Sequence, residues 1–261
     1  MLLLAALVGP WSVVPVTPRV LRLWREKAME PIPAVQRVDR YVHERRMTDQ
    51  TLVSWAIYMF LLSWITLGIY TIVVFYRRVN RTDLFRERRR HYYDAVIEAT
   101  RQYVDQVGQD TESMEQLDDI RRYVNERFED EHRMINAGLS VLLTFLTLGI
   151  YWFVAAYRMM RFWWEIQLTE EDFDDKLSDC WLRLGIVQYR VTFEPIPRLR
   201  RGFGLHLLLT FVTLGIYGFV WDYQLHTDPE KLYPEVHSTE DMVLFALRHA
   251  ETAPHGGRAA A

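Results

Sequence analysis

Few catalytic or metal-binding types of side chain have the spacing in the sequence that would bring them into one site. Glu129 and His132 have the Glu-x-x-His spacing of di-iron bundles, which places both groups on one face of a helix. Such a site needs a second Glu-x-x-His, and the sequence contains none. We therefore interpret this stretch as a solvated helix end and predict no metal site.

Other chemically capable residues give similarly weak signals. The acidic run at 170–175 lacks the glycine-containing spacing of an EF-hand, and a helix N-terminus that favours negative charge explains it better. A single cysteine, Cys180, excludes a disulfide framework and a thiolate cluster within the chain. His206 is a candidate because ionisable groups at membrane depth are costly, although a neutral imidazole at the interface is the plainer interpretation. With no phosphate loop and no G-x-S-x-G string, we expect no enzyme, no catalytic residue and no cofactor.

The elements that carry these residues are strongly segregated by polarity. Half of the 261 residues are hydrophobic and a quarter are charged, yet 51–76 and 136–157 contain no charged residue, and His206 is the one titratable group near neutral pH in 202–221. About 20 apolar residues suffice for a helix to cross roughly 30 Å of hydrocarbon, so these segments predict a membrane protein. The alternative, buried helices of a soluble core, would need more covering sequence than the chain has. A net charge of -3 excludes a general nucleic-acid footprint.

One string, TLGIY, occurs once in each apolar segment. We interpret its threonine, glycine and tyrosine as a structural membrane motif. These residues are Thr66, Gly68, Tyr70, Thr147, Gly149, Tyr151, Thr213, Gly215 and Tyr217. Further agreement at neighbouring columns indicates duplication, and the apolar start of the chain, with Gly9 in the glycine column, is a weak candidate for a fourth copy.

These repeats resemble a prokaryotic family of small membrane proteins classed as domain of unknown function 4234, whose signature is close to TLGIYxxxWxYR. The resemblance covers the three apolar segments. Trp221 meets the tryptophan column, whereas Val74 and Ala155 depart from it. The resemblance implies a membrane location, which we expect to be the prokaryotic inner membrane, and a small helical architecture. It implies no activity.

The glycine of each repeat allows two topologies. It can end a helix in the left-handed conformation and turn the chain into a hairpin, or it can lie inside a kinked spanning helix. Three straight spans would divide Lys and Arg evenly between the two faces, against the usual bias. Hairpins would instead bring every basic flank to one face, and both topologies stay open here.

Basic and aromatic residues crowd the ends of the apolar segments. For contact with anionic headgroups we predict Arg45, Arg46, Arg77, Arg78, Arg158, Arg161, Arg200 and Arg201. For the aromatic interface we predict Tyr76, Tyr157, Trp163, Trp164 and Tyr223.

The predicted fold is an all-α membrane protein with amphipathic helices outside the bilayer. The "VQYRVTF" stretch at 187–193 alternates and indicates a short strand, with an extended segment as the alternative. Along the chain we expect an N-terminal apolar and amphipathic region at 1–50, membrane segments at 51–76, 136–164 and 203–223, a charged helical hairpin at 77–135, an amphipathic helix plus strand at 165–202, and a short helix, beginning near Ser238, with a flexible tail within 224–261.

Repeated insertion, basic flanks and missing catalytic groups favour a non-enzymatic scaffold or membrane-shaping protein. Its expected partners are anionic lipids and further copies of itself, without nucleic acid, and its charged regions are expected in the cytoplasm. One alternative is a channel or transporter subunit with three spanning helices, and another is a membrane-bound enzyme that modifies lipids.

Overall fold

The computed structural model describes residues 33–108 and 110–252. The chain divides into two compact units at Pro33, and the architecture below belongs to the second unit, Ala34–Ala261. The fourth repeat predicted around Gly9 and the predicted flexible tail after Thr252 lie outside the described residues.

The described residues are helical almost throughout, which confirms the predicted all-α class. The first helices are α1 (Ala34–Thr48), α2 (Trp55–Ile57), a π-helical turn (Tyr58–Leu62), α3 (Ser63–Ile65) and α4 (Ile69–Val107). The middle of the chain forms α5 (Thr111–Glu126), a second π-helical turn (Arg127–Glu131), α6 (Ala137–Leu146) and α7 (Ile150–Leu184). A 3-10 turn (Pro197–Leu199), α8 (Phe203–Val212) and α9 (Ile216–Thr252) complete it.

Each apolar segment breaks at its TLGIY string and reverses direction. Three helical hairpins result, which we number hairpin 1 (55–78), hairpin 2 (137–160) and hairpin 3 (203–226). The hairpin interpretation of the glycine is thus confirmed, and the continuous kinked helix is wrong for these segments. Among the helices of residues 33–108 and 110–252, not one combines the length and the apolar character needed to cross a membrane.

The returning arm of every hairpin continues into a long helix. Helices α4, α7 and α9 contain 39, 35 and 37 residues, and at 1.5 Å per residue each is about 50 to 60 Å long. The boundaries predicted after 76, 164 and 223 fall inside these continuous helices. The short helix predicted to begin near Ser238 is wrong, because Ser238 lies in the interior of α9.

Helix α9 contains Pro229 and Pro234, and at Pro229 a side chain replaces the missing N–H donor. Proline has no N–H for the carbonyl four residues earlier, which for Pro229 is the carbonyl of Leu225. The buried guanidinium of Arg81 donates to that carbonyl at 3.0 Å and to the His226 carbonyl at 2.7 Å. The sequence predicted a helix start after these prolines because neighbouring residues give no sign of this donor.

The core below the hairpins forms where amphipathic faces of α4, α5 and α7 meet. Val96 and Ile97 on α4, and Leu117, Ile120 and Val124 on α5, have at most 1% of their surface exposed. The Asp110 side chain accepts from the Glu112 N–H and starts α5. Arg101 pairs with Asp118 and Arg121 pairs with Glu98, so α4 and α5 run antiparallel to one another.

Buried ion pairs connect the long helices. Arg88 and Arg89, both on α4, donate to Glu240 of α9. Arg89 also pairs with Glu170 of α7, and Arg88 binds Asp49 at 2.9 Å. Because α4 carries these arginines on a buried face, the basic run at 86–90 is largely an internal feature.

The strand predicted at 187–193 is wrong, since the described residues contain no strand. The segment is irregular, and it buries Val191 and Phe193. The Val191 N–H donates to the Ser178 hydroxyl at 2.9 Å. The same hydroxyl donates to the Val191 carbonyl at 2.7 Å. One side chain thus binds both backbone groups that a neighbouring strand would need. Contact with the core accounts for Val191 and Phe193 in the alternating pattern, whereas Tyr189 is 74% exposed.

Candidate functional site

The three hairpin tips have one hydrogen-bonding pattern. In hairpin 1 the Gly68 N–H donates to the Ser63 carbonyl at 2.7 Å, and the Leu67 N–H donates to the Trp64 carbonyl at 3.2 Å. These two bonds define a Schellman helix end. The glycine bond recurs at 2.7 Å for Gly149 and at 2.8 Å for Gly215. The tips are therefore copies of one local structure.

The leucine of TLGIY, and not its glycine, is the first left-handed residue of the turn. Leu67, Leu148 and Leu214 all have a φ of 50°. The glycine that follows also has a positive φ, from 88° to 93°. A left-handed conformation costs a side-chain-bearing residue roughly 1–2 kcal/mol, and most helices use glycine at this position. The turn therefore has a leucine at a position where glycine would have a lower conformational free energy.

The threonine of the string joins the two arms. Thr66 Oγ1 donates to the Leu62 carbonyl at 2.7 Å and accepts from the Tyr70 N–H at 3.0 Å. Thr147 and Thr213 make the same pair of bonds. One hydroxyl thus satisfies a carbonyl at the end of one helix and an N–H at the start of the next. The spacing of threonine and tyrosine in the repeat follows from this bridge.

The tips present large apolar side chains to the outside. Leu67, Leu148 and Leu214 are 92%, 94% and 94% exposed. Their neighbours on the tips are also exposed, and include Trp64, Ile65, Ile69, Phe145, Leu146, Ile150, Phe211, Val212 and Ile216. None of these three equivalent leucines packs against the rest of the described chain, so each tip presents an apolar surface.

The three hairpins pack side by side in a closed ring. The returning arm of hairpin 2 contacts the outgoing arm of hairpin 3 through Tyr157 and Phe203, whose ring centroids are 5.2 Å apart. Tyr223 of hairpin 3 and Trp55 of hairpin 1 are related in the same way, at 5.4 Å. Between hairpins 1 and 2 the corresponding arms, α4 and α6, border one cavity. The arrangement has approximate threefold symmetry and places the tips at one end.

The π-helical turn in hairpin 1 keeps this symmetry. Trp55 lies thirteen residues before its glycine, whereas Phe203 lies twelve before. The turn at Tyr58–Leu62 accommodates the extra residue, so Ser63 bonds a carbonyl five residues back while Thr210 bonds one four residues back. Tyr58, in this shifted register, and His206 are accordingly both buried.

His206 is fully hydrogen-bonded inside hairpin 3. Its Nδ1 lies 2.9 Å from the Gly202 carbonyl oxygen, and its Nε2 lies 2.6 Å from Oε1 of Gln224. Gln224 occupies the column that holds arginine in the other repeats. The histidine and glutamine thus connect the two arms of this hairpin near its base.

The predicted headgroup arginines separate into free and internally paired groups. Arg77 and Arg158 are half-buried and lie nine residues after their glycines, about 14 Å from the tips along the helix. Arg158 also donates to the Met134 carbonyl at 2.9 Å. Arg46, Arg161 and Arg200 are exposed, and Arg161 also pairs with Glu165 on its own helix. Arg45 and Arg201 form ion pairs with Asp241 and Asp228, at 2.9 Å and 2.7 Å.

Arg78 is unavailable to a headgroup. It is 2% exposed and binds Asp222 of hairpin 3 at 2.5 Å, and the same carboxylate accepts from the Trp55 indole at 2.8 Å. Adjacent helical residues point about 100° apart, so Arg77 can face outward while Arg78 faces the ring. The sequence offers no local sign of Asp222 as the partner, since the two residues are far apart in the chain.

The predicted interfacial aromatics likewise separate into exposed and buried residues, because neighbouring side chains on a helix point in different directions. Tyr157 and Tyr223 are exposed, and Tyr76 and Trp164 are half-buried. Trp163 is buried in the core, with ring centroids 5.0 Å from Phe85 and 6.1 Å from Tyr233, which removes it from any interface.

The polar candidates lie apart from one another. Glu129 is exposed whereas His132 is fully buried, with its Nε2 2.9 Å from the Thr169 hydroxyl. Burial, with Arg86, Arg127 and Arg161 nearby, lowers the pKa of His132 to about 3. Burial likewise raises the pKa of the Cys180 thiol to about 11. Within 33–108 and 110–252, no three His, Cys, Asp or Glu side chains are grouped to hold a metal.

The acidic run lies in the middle of α7 and not at a helix start. Glu170 is buried against Arg89, and Asp172 accepts from the Tyr123 hydroxyl at 2.5 Å. The explanation by a helix N-terminus is therefore wrong, and two of these acids, Glu170 and Asp172, instead pair with Arg89 and Arg127.

Comparison with known proteins finds one family. The model of the family described as "Domain of unknown function (DUF4234)" matches residues 53–162 and 201–250, which is more than half of the chain and includes all three tips. No curated protein and no solved structure matches the chain.

Proposed function

We propose a function for this chain on the premise that it belongs to the DUF4234 family, whose role is unknown. It binds the membrane by placing three hairpin tips side by side in one leaflet, and serves there as a non-enzymatic scaffold that shapes the bilayer. The observation that carries the proposal is the leucine at each tip.

These leucines do not serve the stability of the isolated fold. Each is strained at a φ of 50° and more than 90% exposed, so it loses conformational free energy and gains no packing. Transfer of one leucine side chain from water to an apolar phase contributes about 1.5–3 kcal/mol. Acyl chains would supply that phase to all three tips at once.

The dimensions of the hairpins suit insertion into one leaflet. Helices α6 and α8 have ten residues each, which is about 15 Å, or half of a typical hydrocarbon core. Insertion to this depth would bring Arg77 and Arg158 to the level of the headgroups. Three wedges in one leaflet expand that leaflet alone, which favours curvature.

The test removes the three leucines together. In the variant Leu67→Asn, Leu148→Asn, Leu214→Asn, asparagine tolerates the left-handed conformation, so the fold should be at least as stable as the parent. Binding to vesicles of equal parts phosphatidylcholine and phosphatidylglycerol, measured by flotation, should weaken at least about 100-fold, because three apolar side chains are lost.

A matched control removes three exposed apolar side chains elsewhere. Tyr189→Gln, Met242→Gln and Phe245→Gln change exposed apolar residues that lie outside the hairpins. This control should bind vesicles as the parent does. Parent protein that fails to float, or equal loss in both variants, would refute membrane binding through the tips.

Shaping and self-association need separate measurements. Vesicles incubated with the parent should tubulate or shrink under electron microscopy, and cross-linking on vesicles should capture oligomers. Vesicles that keep their size would leave binding intact and remove the shaping role. We further propose that the charged helices face the cytoplasm, as the many basic flanks suggest.

A further inference from the structure

The three interfaces of the hairpin ring are filled unequally. Between hairpins 2 and 3, the Trp221 ring lies 5.3 Å from Trp152 and 5.5 Å from Phe203. Trp55 and Tyr223 fill the interface of hairpins 3 and 1. Between hairpins 1 and 2 there is instead a partly open cavity of about 290 Å³. It is lined by Thr71, Ile72, Phe75, Val141, Thr144, Phe145, Leu148, Gly149 and Trp152.

One lining position of the cavity is small in hairpin 1. Three residues after the glycine, hairpin 2 has Trp152 and hairpin 1 has Thr71. The Trp152 ring packs against Trp221 in the interface of hairpins 2 and 3, whereas Thr71, on the equivalent arm of hairpin 1, lines the cavity. A large side chain that helps to fill one interface is thus replaced by a small one in its symmetry mate.

The lining selects an apolar ligand. Its two hydroxyls already have partners: Thr144 Oγ1 donates to the Ser140 carbonyl at 2.7 Å, and Thr71 Oγ1 lies 3.1 Å from Ser63 Oγ. The other lining side chains are aliphatic or aromatic, and none is charged. Apart from the Trp152 indole N–H, the lining offers a polar ligand no side-chain group without a partner, so burial of hydrocarbon is the main driving force.

The position of the cavity identifies the source of that hydrocarbon. Phe145 and Leu148 belong to the tip of hairpin 2 and also line the cavity. From Val141 to Leu148 the lining extends roughly 10 Å along α6, the direction in which acyl chains of an inserted leaflet would run. We propose that this cavity holds one acyl chain of a membrane phospholipid, an inference that rests on insertion of the tips.

The experiment maps where lipid touches the full-length protein. A phosphatidylcholine with a photoactivatable diazirine in its acyl chain is added to the phosphatidylcholine and phosphatidylglycerol vesicles. After irradiation, labelled residues are located by mass spectrometry. We expect labels on Ile72 and Phe75, deep in the cavity, in addition to the exposed leucines of the tips.

Two matched variants separate the cavity from the surface. Val141→Trp fills the cavity, whereas Leu142→Trp places the same side chain at the neighbouring residue, which is 55% exposed. Labelling of Ile72 and Phe75 should be lost in the first and kept in the second. Vesicle binding and tip labelling should persist in both, which also verifies that each variant folds.

The possible failures are distinguishable. Labels on the tips without labels on Ile72 and Phe75 would overturn the cavity proposal and leave membrane binding intact. A protein that neither floats nor takes up label would overturn both. If Val141→Trp dissociates an oligomer and the cavity remains unlabelled, its occupant is a second copy and the lipid proposal is wrong.

Discussion

At the residue scale, each letter of TLGIY has a separable role. Threonine connects the two arms, leucine and isoleucine form the exposed apolar surface, and glycine completes the left-handed turn. The tyrosine contributes its N–H to the threonine bridge. Because the roles differ, substitutions at neighbouring positions should affect stability and membrane binding independently.

We predict that Gly149→Ala destabilises the fold while Gly204→Ala does not. Gly149 has a φ of +93°, where alanine is strained, although an added Cβ would meet no atom within 4 Å. Gly204 also has free space but lies within α8 at ordinary helical φ, where alanine should stabilise by about 0.5–1 kcal/mol. Thermal unfolding should show opposite shifts. A Gly149→Ala protein as stable as the parent would contradict the conformational role of the glycine.

A second prediction concerns the pH dependence of stability through His132. Its pKa is about 3 in the folded protein and about 6.5 when unfolded, so the unfolded state binds more protons between these values. The free energy of unfolding therefore decreases as pH falls through this window, by about 2 kcal/mol between pH 7 and pH 5 for this group.

The variant His132→Gln tests this by difference. It should lose less stability than the parent between the two pH values, since the other titratable groups are shared. Urea unfolding of both proteins at each pH gives the comparison. Parallel losses would show that His132 does not carry the effect.

At the element scale, the long helices depend on side chains from other helices. Helix α9 passes through Pro229 because Arg81 of α4 binds the carbonyl that proline leaves unpaired. Hairpin 1 keeps its register because a π-helical turn absorbs one residue. Both irregularities are local costs that packing between elements offsets.

We predict that Arg81 and Pro229 are energetically coupled. Arg81→Met should cost about 1–3 kcal/mol, because it leaves buried carbonyls without a donor. In a Pro229→Ala background, the alanine N–H can bind the Leu225 carbonyl, so the same substitution should cost about 1 kcal/mol less. Chemical denaturation of the four proteins measures the coupling. Strictly additive effects would contradict the proposed replacement of the donor.

At the scale of the whole hairpin ring, the tips of the hairpins are apolar, and the opposite ends of hairpins 1 and 2 carry arginines. In the proposed membrane-bound state, the exposed tips would bind any bilayer, and Arg77 and Arg158 would lie at the level of anionic headgroups. We predict that Arg77→Gln with Arg158→Gln weakens binding to phosphatidylglycerol vesicles by roughly 1 kcal/mol per arginine and leaves binding to pure phosphatidylcholine nearly unchanged.

The control for this prediction is Arg122→Gln, an exposed arginine on α5 outside the hairpins. It should bind both vesicle types as the parent does. Co-sedimentation at two salt concentrations provides the check, because headgroup attraction is screened by salt. An equal loss on neutral and anionic vesicles would mean that the arginines support the fold.

The sequence by itself determined the helical class, the position of the three TLGIY turns and the amphipathic character of the helices between them, and it left open whether each turn reverses the chain. A Schellman turn is closed by bonds within six residues, and an amphipathic stripe is a periodic pattern along one helix. Both are encoded by neighbours in the chain. The resemblance to the family was likewise legible in the repeated string, and the match over both segments confirms it.

Only the tertiary structure decided which residues of the charged and aromatic runs are exposed and which are buried. Arg77 and Arg78 are adjacent, as are Trp163 and Trp164, yet one of each pair is buried by contacts with distant helices. The false strand at 187–193 and the false helix start at Ser238 have the same origin, since Ser178 and Arg81 supply the missing bonds from elsewhere. The cavity between hairpins 1 and 2 required the ring itself, because a small side chain leaves a space only when its neighbours are in place.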